Sequence, residues 1–236
     1  MRTTWVIARR QFASYFNSPV AYIVLSILLL LVGFFFWRTF FLDQVATVRE
    51  MFTWISLFFI LGAPALTMGL LAEERRSGTI ELLMTMPVKD WEVIAGKYLG
   101  VLGVFVVFLV LTLPYPISVS TLGQLDWGPV ASGYLGMFLT GAAMLAIGLV
   151  ASSWTENQLI ALFVAAGLCF VLGILDKVIM LLPAGAASVL EWISFNSHLG
   201  NMARGVIDSR DVIYFASIIA FTLALSFRSL ESRRWR

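Results

Sequence analysis

The only histidine of the chain, His198, is the residue best suited to general-base chemistry, and Ser194 and Ser197 lie just before it. A base of this kind would draw a proton from a serine hydroxyl, but no fixed sequence spacing identifies a serine–histidine pair. A lone histidine in a loop is more typically a solvated or helix-capping residue. A membrane enzyme that uses His198 is therefore one hypothesis for this chain, and the least favoured one.

Nucleotide, metal and disulfide chemistry lack the residue patterns that they need. A phosphate loop requires serine or threonine directly after Gly96-Lys97, where this chain has Tyr98. Trp91 occupies the upstream position at which such a loop needs glycine. Histidine and carboxylates do not cluster at metal-ligand spacing, and the single cysteine, Cys169, excludes a disulfide within one chain. The sequence predicts no catalytic residue, no cofactor and no metal in this chain.

The charged and apolar residues around position 80 form the most informative segment. Gly78 permits a turn, and Pro87 stops any helix that precedes it. Between them, Ile80, Leu83 and Met84 would share one apolar face of a short helix. This face either docks into a groove of a soluble partner or packs against the membrane ends of the same chain, and spacing alone leaves both alternatives open. The segment begins with four charged residues, Glu73, Glu74, Arg75 and Arg76.

The composition of the chain indicates an integral membrane protein. Of the 236 residues, 60% are hydrophobic and 13% are charged, and the mean hydropathy is +0.90. Soluble domains contain about 25% charged residues, because polar groups must cover their surface. The balance also excludes a disordered chain and a coiled coil, and a net charge of only +2 argues against nucleic-acid binding.

Six uncharged runs are candidates for membrane-spanning helices. A bilayer core about 30 Å thick needs about 20 apolar residues in a helix, and the backbone polar groups of a span must pair within the lipid. The chain is therefore predicted to be an all-α integral membrane protein with one domain over residues 1–236. The predicted spans are Val20–Trp37, Met51–Ala72, Tyr98–Thr121, Val130–Trp154, Leu159–Leu175 and Val212–Phe227.

Lys and Arg residues are distributed unevenly between the two sides of these spans. Eleven of the sixteen lie in the two termini and in the loop after the second span, which places both termini in the cytoplasm. None of the six runs has an ionisable residue in its central part. Ion-coupled carriers and pumps usually place such groups within the membrane, so we expect the energy for any transport to come from outside the chain.

The N-terminal residues are predicted to form an amphipathic helix that lies in the cytoplasmic membrane interface. The Asn17-Ser18-Pro19 sequence then breaks this helix before the first span. An ordinary basic flank of a signal anchor is the alternative interpretation. The apolar face of the predicted helix consists of Trp5, Ala8, Phe12, Tyr15 and Phe16.

Small residues and prolines predict how the spans pack and bend. Ser132, Gly136 and Thr140 recur at four-residue spacing in the fourth span, which permits close helix contact. A contact within the bundle is favoured over a dimer face. Pro64 in the second span and Pro114 in the third predict kinks.

The segment around position 80 resembles the signature loop of ABC-2 type transporter permeases. This resemblance is carried by Glu-Glu-Arg-Arg-Ser-Gly-Thr-Ile-Glu-Leu-Leu from Glu73 to Leu83, by Pro87 and by Gly96-Lys97-Tyr98-Leu99. Later residues resemble the last outer segment of the gliding-motility (GldF-like) branch of that family. They are Ser197-His198-Leu199, the run from Ala203 to Asp208, Arg210-Asp211 and Tyr214-Phe215. With the six spans and the first helix, the resemblance covers the whole chain.

The resemblance implies a half-transporter in the bacterial cytoplasmic (inner) membrane. Two permease chains, in a homodimer or a heterodimer, would form the pathway, and two copies of a separate ABC ATP-binding subunit would hold ATP and Mg²⁺. The loop would be the coupling helix that docks into a groove on the ATPase. The four charges before it would form the boundary between gate and docking site, or else a solvated exit from the membrane. The implied coupling helix comprises Ser77, Gly78, Thr79, Ile80, Glu81, Leu82, Leu83 and Met84.

The outer segment between the fifth and sixth spans contains two weakly apolar stretches, Val178–Leu182 and Val189–Phe195. Both are too short to cross a bilayer, and the resemblance implies short re-entrant helices here. Arg204, Gly205 and Asp208 belong to the matching outer motif. The charges at positions 204, 208, 210 and 211 are expected to pair with one another as surface or gate scaffolding.

The leading hypothesis is an ATP-driven export permease for a hydrophobic or amphipathic substrate, surrounded by membrane lipid. The alternative is a non-transporting membrane subunit that anchors an ATPase doing mechanical work. Both hypotheses require the segment around position 80 to bind a partner, and neither involves nucleic acid.

Overall fold

The computed structural model of the protein describes residues 2–43, 45–79, 89–179 and 190–231. These residues form helices and no strand, which confirms the predicted all-α fold class. In chain order the helices are α1 (Arg2–Asn17), α2 (Pro19–Asp43), α3 (Arg49–Thr67), α4 (Gly69–Arg76), α5 (Asp90–Thr112), α6 (Pro114–Leu122), α7 (Trp127–Trp154), α8 (Gln158–Ile179), α9 (Phe195–Ala203) and α10 (Ser209–Glu231).

Six segments of the described chain are long and apolar enough to cross a membrane, in agreement with the six predicted spans. Each helical segment extends beyond the uncharged run that predicted it. Polar residues at the ends of a spanning helix continue the helix into the headgroup region, whereas the runs were delimited by the first charge. The segments are Pro19–Asp43, Arg49–Arg76, Asp90–Leu122, Trp127–Trp154, Gln158–Lys177 and Ser209–Glu231.

Helix α7 forms the centre of the bundle. Within the most apolar 18-residue window of each span, 83% of α7 is buried within the chain, against 22% of α10. A Cβ atom at Gly133 or Gly141 would lie 2.2 Å from the ring of Phe52 or Phe105, so only glycine admits these helix contacts. The small residues Ser132, Gly136 and Thr140 are buried inside the chain, which confirms the predicted contact within the bundle.

Two spans break next to their prolines, as predicted. The second span divides at Met68, between α3, which contains Pro64, and α4. The third divides at Leu113, directly before Pro114, which has no N–H for a helical hydrogen bond. Met68 and Leu113 both keep right-handed helical dihedral angles, so each span is interrupted at one residue and continues as a helix beyond it.

Helix α1 packs along α5, on which glycines at positions 96, 100 and 103 form a groove. Of its predicted apolar face, Ala8 and Tyr15 are buried against the chain, whereas Trp5 is 69% exposed. The groove selects the narrow face of α1 that fits it, and the wide indole of Trp5 is left on the outer side beside the exposed Val6. The position of α1 in the membrane interface stays a prediction.

The α1–α5 groove yields a first prediction. A Cβ atom at Gly100 would lie 2.6 Å from the Cβ of Gln11 and 3.0 Å from the carbonyl oxygen of Ala8, so Gly100→Val must push α1 away. We expect a loss of about 1–3 kcal/mol of unfolding free energy from this overpacking, measured by thermal unfolding of the purified protein.

Gly167→Val is the matched control, because Gly167 lies in α8 and a Cβ atom there meets nothing within 4 Å. Both variants place the same branched side chain in a helix. Equal melting temperatures for the two variants would show that α1 does not need the groove.

Candidate functional site

The four charged residues that begin the signature segment lie on α4 and its last turn. Helix α4 packs against α7 and α8 and lies beside the first turns of α5. Its C-terminal end leads directly into residues 77–79. The segment around position 80 is thus joined to the bundle through α4 on one side and through α5, which begins at Asp90, on the other.

A buried ion pair ties α4 to α5. The Nζ atom of Lys97 lies 2.7 Å from Oε1 of Glu74 and donates a second hydrogen bond, 2.5 Å long, to the carbonyl oxygen of Leu70. The Lys97 side chain is 5% exposed and that of Glu74 is 32% exposed. An ammonium group so far from water needs acceptors of this kind, since burying a charge without a partner is costly. The pair therefore fixes the position of α4 relative to α5.

The four charges divide into two kinds. Glu73 and Arg76 are exposed, as the interpretation of a solvated exit predicts. Arg75 is buried and Glu74 is engaged by Lys97, so that interpretation is wrong for these two residues. Their predicted role at a gate or docking boundary stays a prediction.

Ser152 of α7 holds the break between α3 and α4. Its Oγ atom accepts hydrogen bonds from the backbone N–H groups of Leu71, at 3.0 Å, and Ala72, at 3.1 Å, and donates one to the carbonyl oxygen of Met68, at 2.9 Å. One hydroxyl thus satisfies three backbone groups that the break leaves without regular helical partners.

Tyr15 joins α1 to the same break. Its hydroxyl donates a hydrogen bond to the carbonyl oxygen of Leu66, in the last turn of α3. Burial raises the pKa of Tyr15, which keeps the hydroxyl protonated and able to donate. Helices α1, α5 and α7 therefore all attach to the span that leads into the signature segment.

The end of α4 confirms the predicted turn at Gly78. Gly78 adopts a φ of 70°, which glycine accepts readily, and its N–H donates to the carbonyl oxygen of Arg75 at 3.1 Å. Ser77, Gly78 and Thr79 are exposed. The remainder of the predicted coupling helix lies outside the described residues, namely Ile80, Glu81, Leu82, Leu83 and Met84.

His198, at the opposite end of the bundle, is buried, so the expectation of a solvated or capping histidine is wrong. Its Nδ1 atom lies 2.6 Å from Oδ1 of Asp211, and its Nε2 atom lies 3.0 Å from the carbonyl oxygen of Trp192. The ring stacks on Tyr214 with centroids 4.0 Å apart. Both ring nitrogens are engaged, and the arrangement joins α9, α10 and the residues before α9.

The charged residues of the outer motif have other partners than those predicted. Oδ1 of Asp208 accepts a 2.9 Å hydrogen bond from the backbone N–H of Arg210 at the start of α10, and Asp211 is engaged by His198. Mutual pairing of the four charges is therefore wrong. Arg204 is exposed, and Gly205 has a φ of 95° in the turn after α9.

The outer segment is helical within one of the two predicted stretches, Val189–Phe195, at residues 190–193. A second short helix, α9 at Phe195–Ala203, follows directly after Ser194. Most of the other predicted stretch, Val178–Leu182, lies outside the described residues.

Sequence reasoning missed the residues that hold the site together, Lys97, Ser152 and Tyr15. Lys97 carried a usable signal, because it precedes an apolar run at the same membrane side on which Glu74 follows one. Opposite charges at equal depth in neighbouring spans favour a pair. The hydroxyls of Ser152 and Tyr15 carried no such signal, because their acceptors and donors belong to backbone groups of a distant break.

Sequence comparison connects this arrangement with a known family. The model of the family described as ABC-2 family transporter protein matches residues 5–194. The match includes most of α1 together with Glu74, Lys97 and Ser152, and it ends before His198. A comparison with curated proteins gives no match. The gliding-motility branch stays a prediction.

The Glu74–Lys97 pair predicts a non-additive pair of substitutions. Either Glu74→Gln or Lys97→Met alone leaves a charged partner near the protein interior, at a cost of about 2–4 kcal/mol. The double variant removes both charges, and we expect it to lose clearly less stability than the sum of the single losses. Unfolding of all three variants in detergent measures the difference.

Arg76→Gln is the control for this cycle, because Arg76 is exposed and lies two residues after Glu74 on the same helix. It is expected to change stability by less than about 0.5 kcal/mol. Additive effects of the two core substitutions would mean that the pair does not couple α4 to α5.

Proposed function

Since the chain belongs to the ABC-2 family of transporter proteins, we propose that it exports a hydrophobic or amphipathic substrate using a separate ATP-binding subunit. The chain is the multi-pass membrane permease component of an ABC transporter. In the proposed complex, two ATPase subunits bind ATP and Mg²⁺, and a second permease chain, identical or different, completes the pathway. We place this complex in the bacterial inner membrane.

The observation that carries the proposal is the attachment of α4 on several sides. Glu74 binds Lys97 of α5, and the Ser152 hydroxyl of α7 binds the carbonyl oxygen of Met68 and the N–H groups of Leu71 and Ala72. Helix α4 then ends in an exposed turn at Gly78. A displacement of the following loop would move α4 as a rigid piece and would be passed to α5 and α7 together.

This arrangement supports a mechanism in which ATP drives a rigid-body shift of helices. Closure of two ATPase subunits on ATP would displace the coupling helices that dock into them. The breaks at Met68 and Leu113 are the proposed hinges, because each interrupts a spanning helix within four residues of a proline. Motion at these two residues would change the orientation of the helical pieces in the second and third spans without unfolding either span.

The substrate class is inferred from the polar groups within the bundle. In the described spans, the hydroxyls of Thr140 and Ser132 donate to carbonyls of their own helix, Gly136 and Gly128 respectively. Such hydroxyls are already satisfied and leave an apolar interior. A wall of this kind suits an apolar or amphipathic cargo better than an ion or a sugar.

The docking step is tested by Leu83→Asp, which places a carboxylate in the predicted apolar face of the coupling helix. A buried interface charge should weaken association with the ATPase subunit by at least about tenfold. Co-purification of the two subunits measures this association. Thr85→Asp is the matched control, because a helix over this segment would turn Thr85 away from Leu83, and normal co-purification of Leu83→Asp would contradict the docking.

A transport assay distinguishes an export permease from a non-transporting subunit that anchors a mechanical ATPase. The complex is reconstituted in vesicles with a fluorescently labelled phospholipid and an amphipathic cationic dye as probes. Export predicts ATP-dependent movement of at least one probe across the membrane. ATP hydrolysis without movement of either probe, in a complex that still co-purifies, would favour the anchor.

A further inference from the structure

A cavity of about 510 Å³ lies between α1, α4 and α5. Arg10 and Ile7 of α1 line one side, and Glu73, Glu74 and Lys97 line the other. A water molecule takes about 30 Å³ of liquid, so the cavity admits a much larger group.

The wall of this cavity contains a buried acceptor to which none of the described residues donates, beside a buried ammonium group for which they supply two acceptors. The Lys97 ammonium has three N–H groups, of which two are used by Oε1 of Glu74 and the carbonyl oxygen of Leu70. The other carboxylate oxygen of Glu74, Oε2, is buried and accepts no hydrogen bond from the described residues. Buried polar groups are normally satisfied, so a ligand here should both accept and donate hydrogen bonds.

Charges of both signs surround these groups. Arg10 and Glu73 are exposed on the two sides of the cavity, and the charges of both act on the Lys97 ammonium. Two cations and two anions balance each other. A ligand with one negative and one positive group matches this wall better than a simple anion or a simple cation.

The surroundings of the cavity fit a lipid headgroup. Helix α1 exposes Trp5 and Val6, a pair of side chains suited to the membrane interface. The apolar side chains of Ile7, Leu70 and Val93 line the cavity next to its charges. The cavity also lies at the end of the second span and the start of the third, where headgroups are found.

We propose that this cavity binds the phosphoethanolamine headgroup of a phospholipid. The phosphate oxygens accept from the free N–H of Lys97 and from the Arg10 guanidinium, and the primary ammonium donates to Oε2 of Glu74 and to Glu73. Phosphocholine has the same two charges but no N–H to donate. Phosphoglycerol has the phosphate and hydroxyl donors but no cation.

The test measures binding of short-chain phospholipids to the purified full-length protein by native mass spectrometry. Dihexanoyl phosphatidylethanolamine is compared with the phosphatidylcholine and phosphatidylglycerol of the same chain length, and with inorganic phosphate. We expect the ethanolamine lipid to bind about tenfold more tightly than the choline lipid, since only the former satisfies the buried Glu74 oxygen.

Arg10→Gln should weaken this binding by about tenfold, because it removes a charge-assisted contact to phosphate. Arg10 is exposed, so the substitution is not expected to unfold the protein. Arg9→Gln is the matched control, because Arg9 is the neighbouring exposed residue on α1 and does not line the cavity.

Three results would overturn the proposal. Equal affinity for the ethanolamine and choline lipids would remove the role of the N–H donor. Equal loss in Arg9→Gln and Arg10→Gln would indicate general attraction to a basic helix. Displacement of the lipid by inorganic phosphate at equal concentration would mean that the cavity recognises phosphate alone.

Discussion

A buried ammonium group must have acceptors, and the position of Lys97 at the end of a membrane bundle makes this requirement decisive. Glu74 and the carbonyl oxygen of Leu70 supply the acceptors, and both belong to α4. Helix α4 therefore cannot turn or slide along α5 without exposing a charge to an apolar surrounding. Because the exposed turn at Gly78 directly follows α4, the same interaction also sets the position of this turn.

Close contacts between helices, in addition to the ion pair, hold the bundle together. Lipid tails are as apolar as the helices themselves, so spans associate through packing and hydrogen bonds rather than through hydrophobic burial alone. Gly148 shows how this works, because a Cβ atom there would lie 2.0 Å from Oγ1 of Thr67, next to the break at Met68. The approach that Gly148 permits brings Ser152, one turn further along α7, within hydrogen-bonding distance of the break.

Features that depend on a single helix could be predicted from the sequence, whereas contacts between two helices could not. All six spans follow from apolar length, because lipid requires a helix wherever the backbone crosses it. The helix breaks near Pro64 and Pro114 and the turn at Gly78 are equally local. The burial of Lys97 and His198 depends on carboxylates of other helices, Glu74 and Asp211.

The docking of α1 also imposes an order on assembly. This helix precedes α5 in the chain, yet its groove is on α5, and its Tyr15 hydroxyl reaches Leu66, 51 residues later in the chain. Until the third span has entered the membrane, α1 can contact only α2 and the end of α3, and the groove that holds it does not exist. Helix α1 therefore reaches its native position only after α5 has been made, and its docking requires the first three spans to be in place.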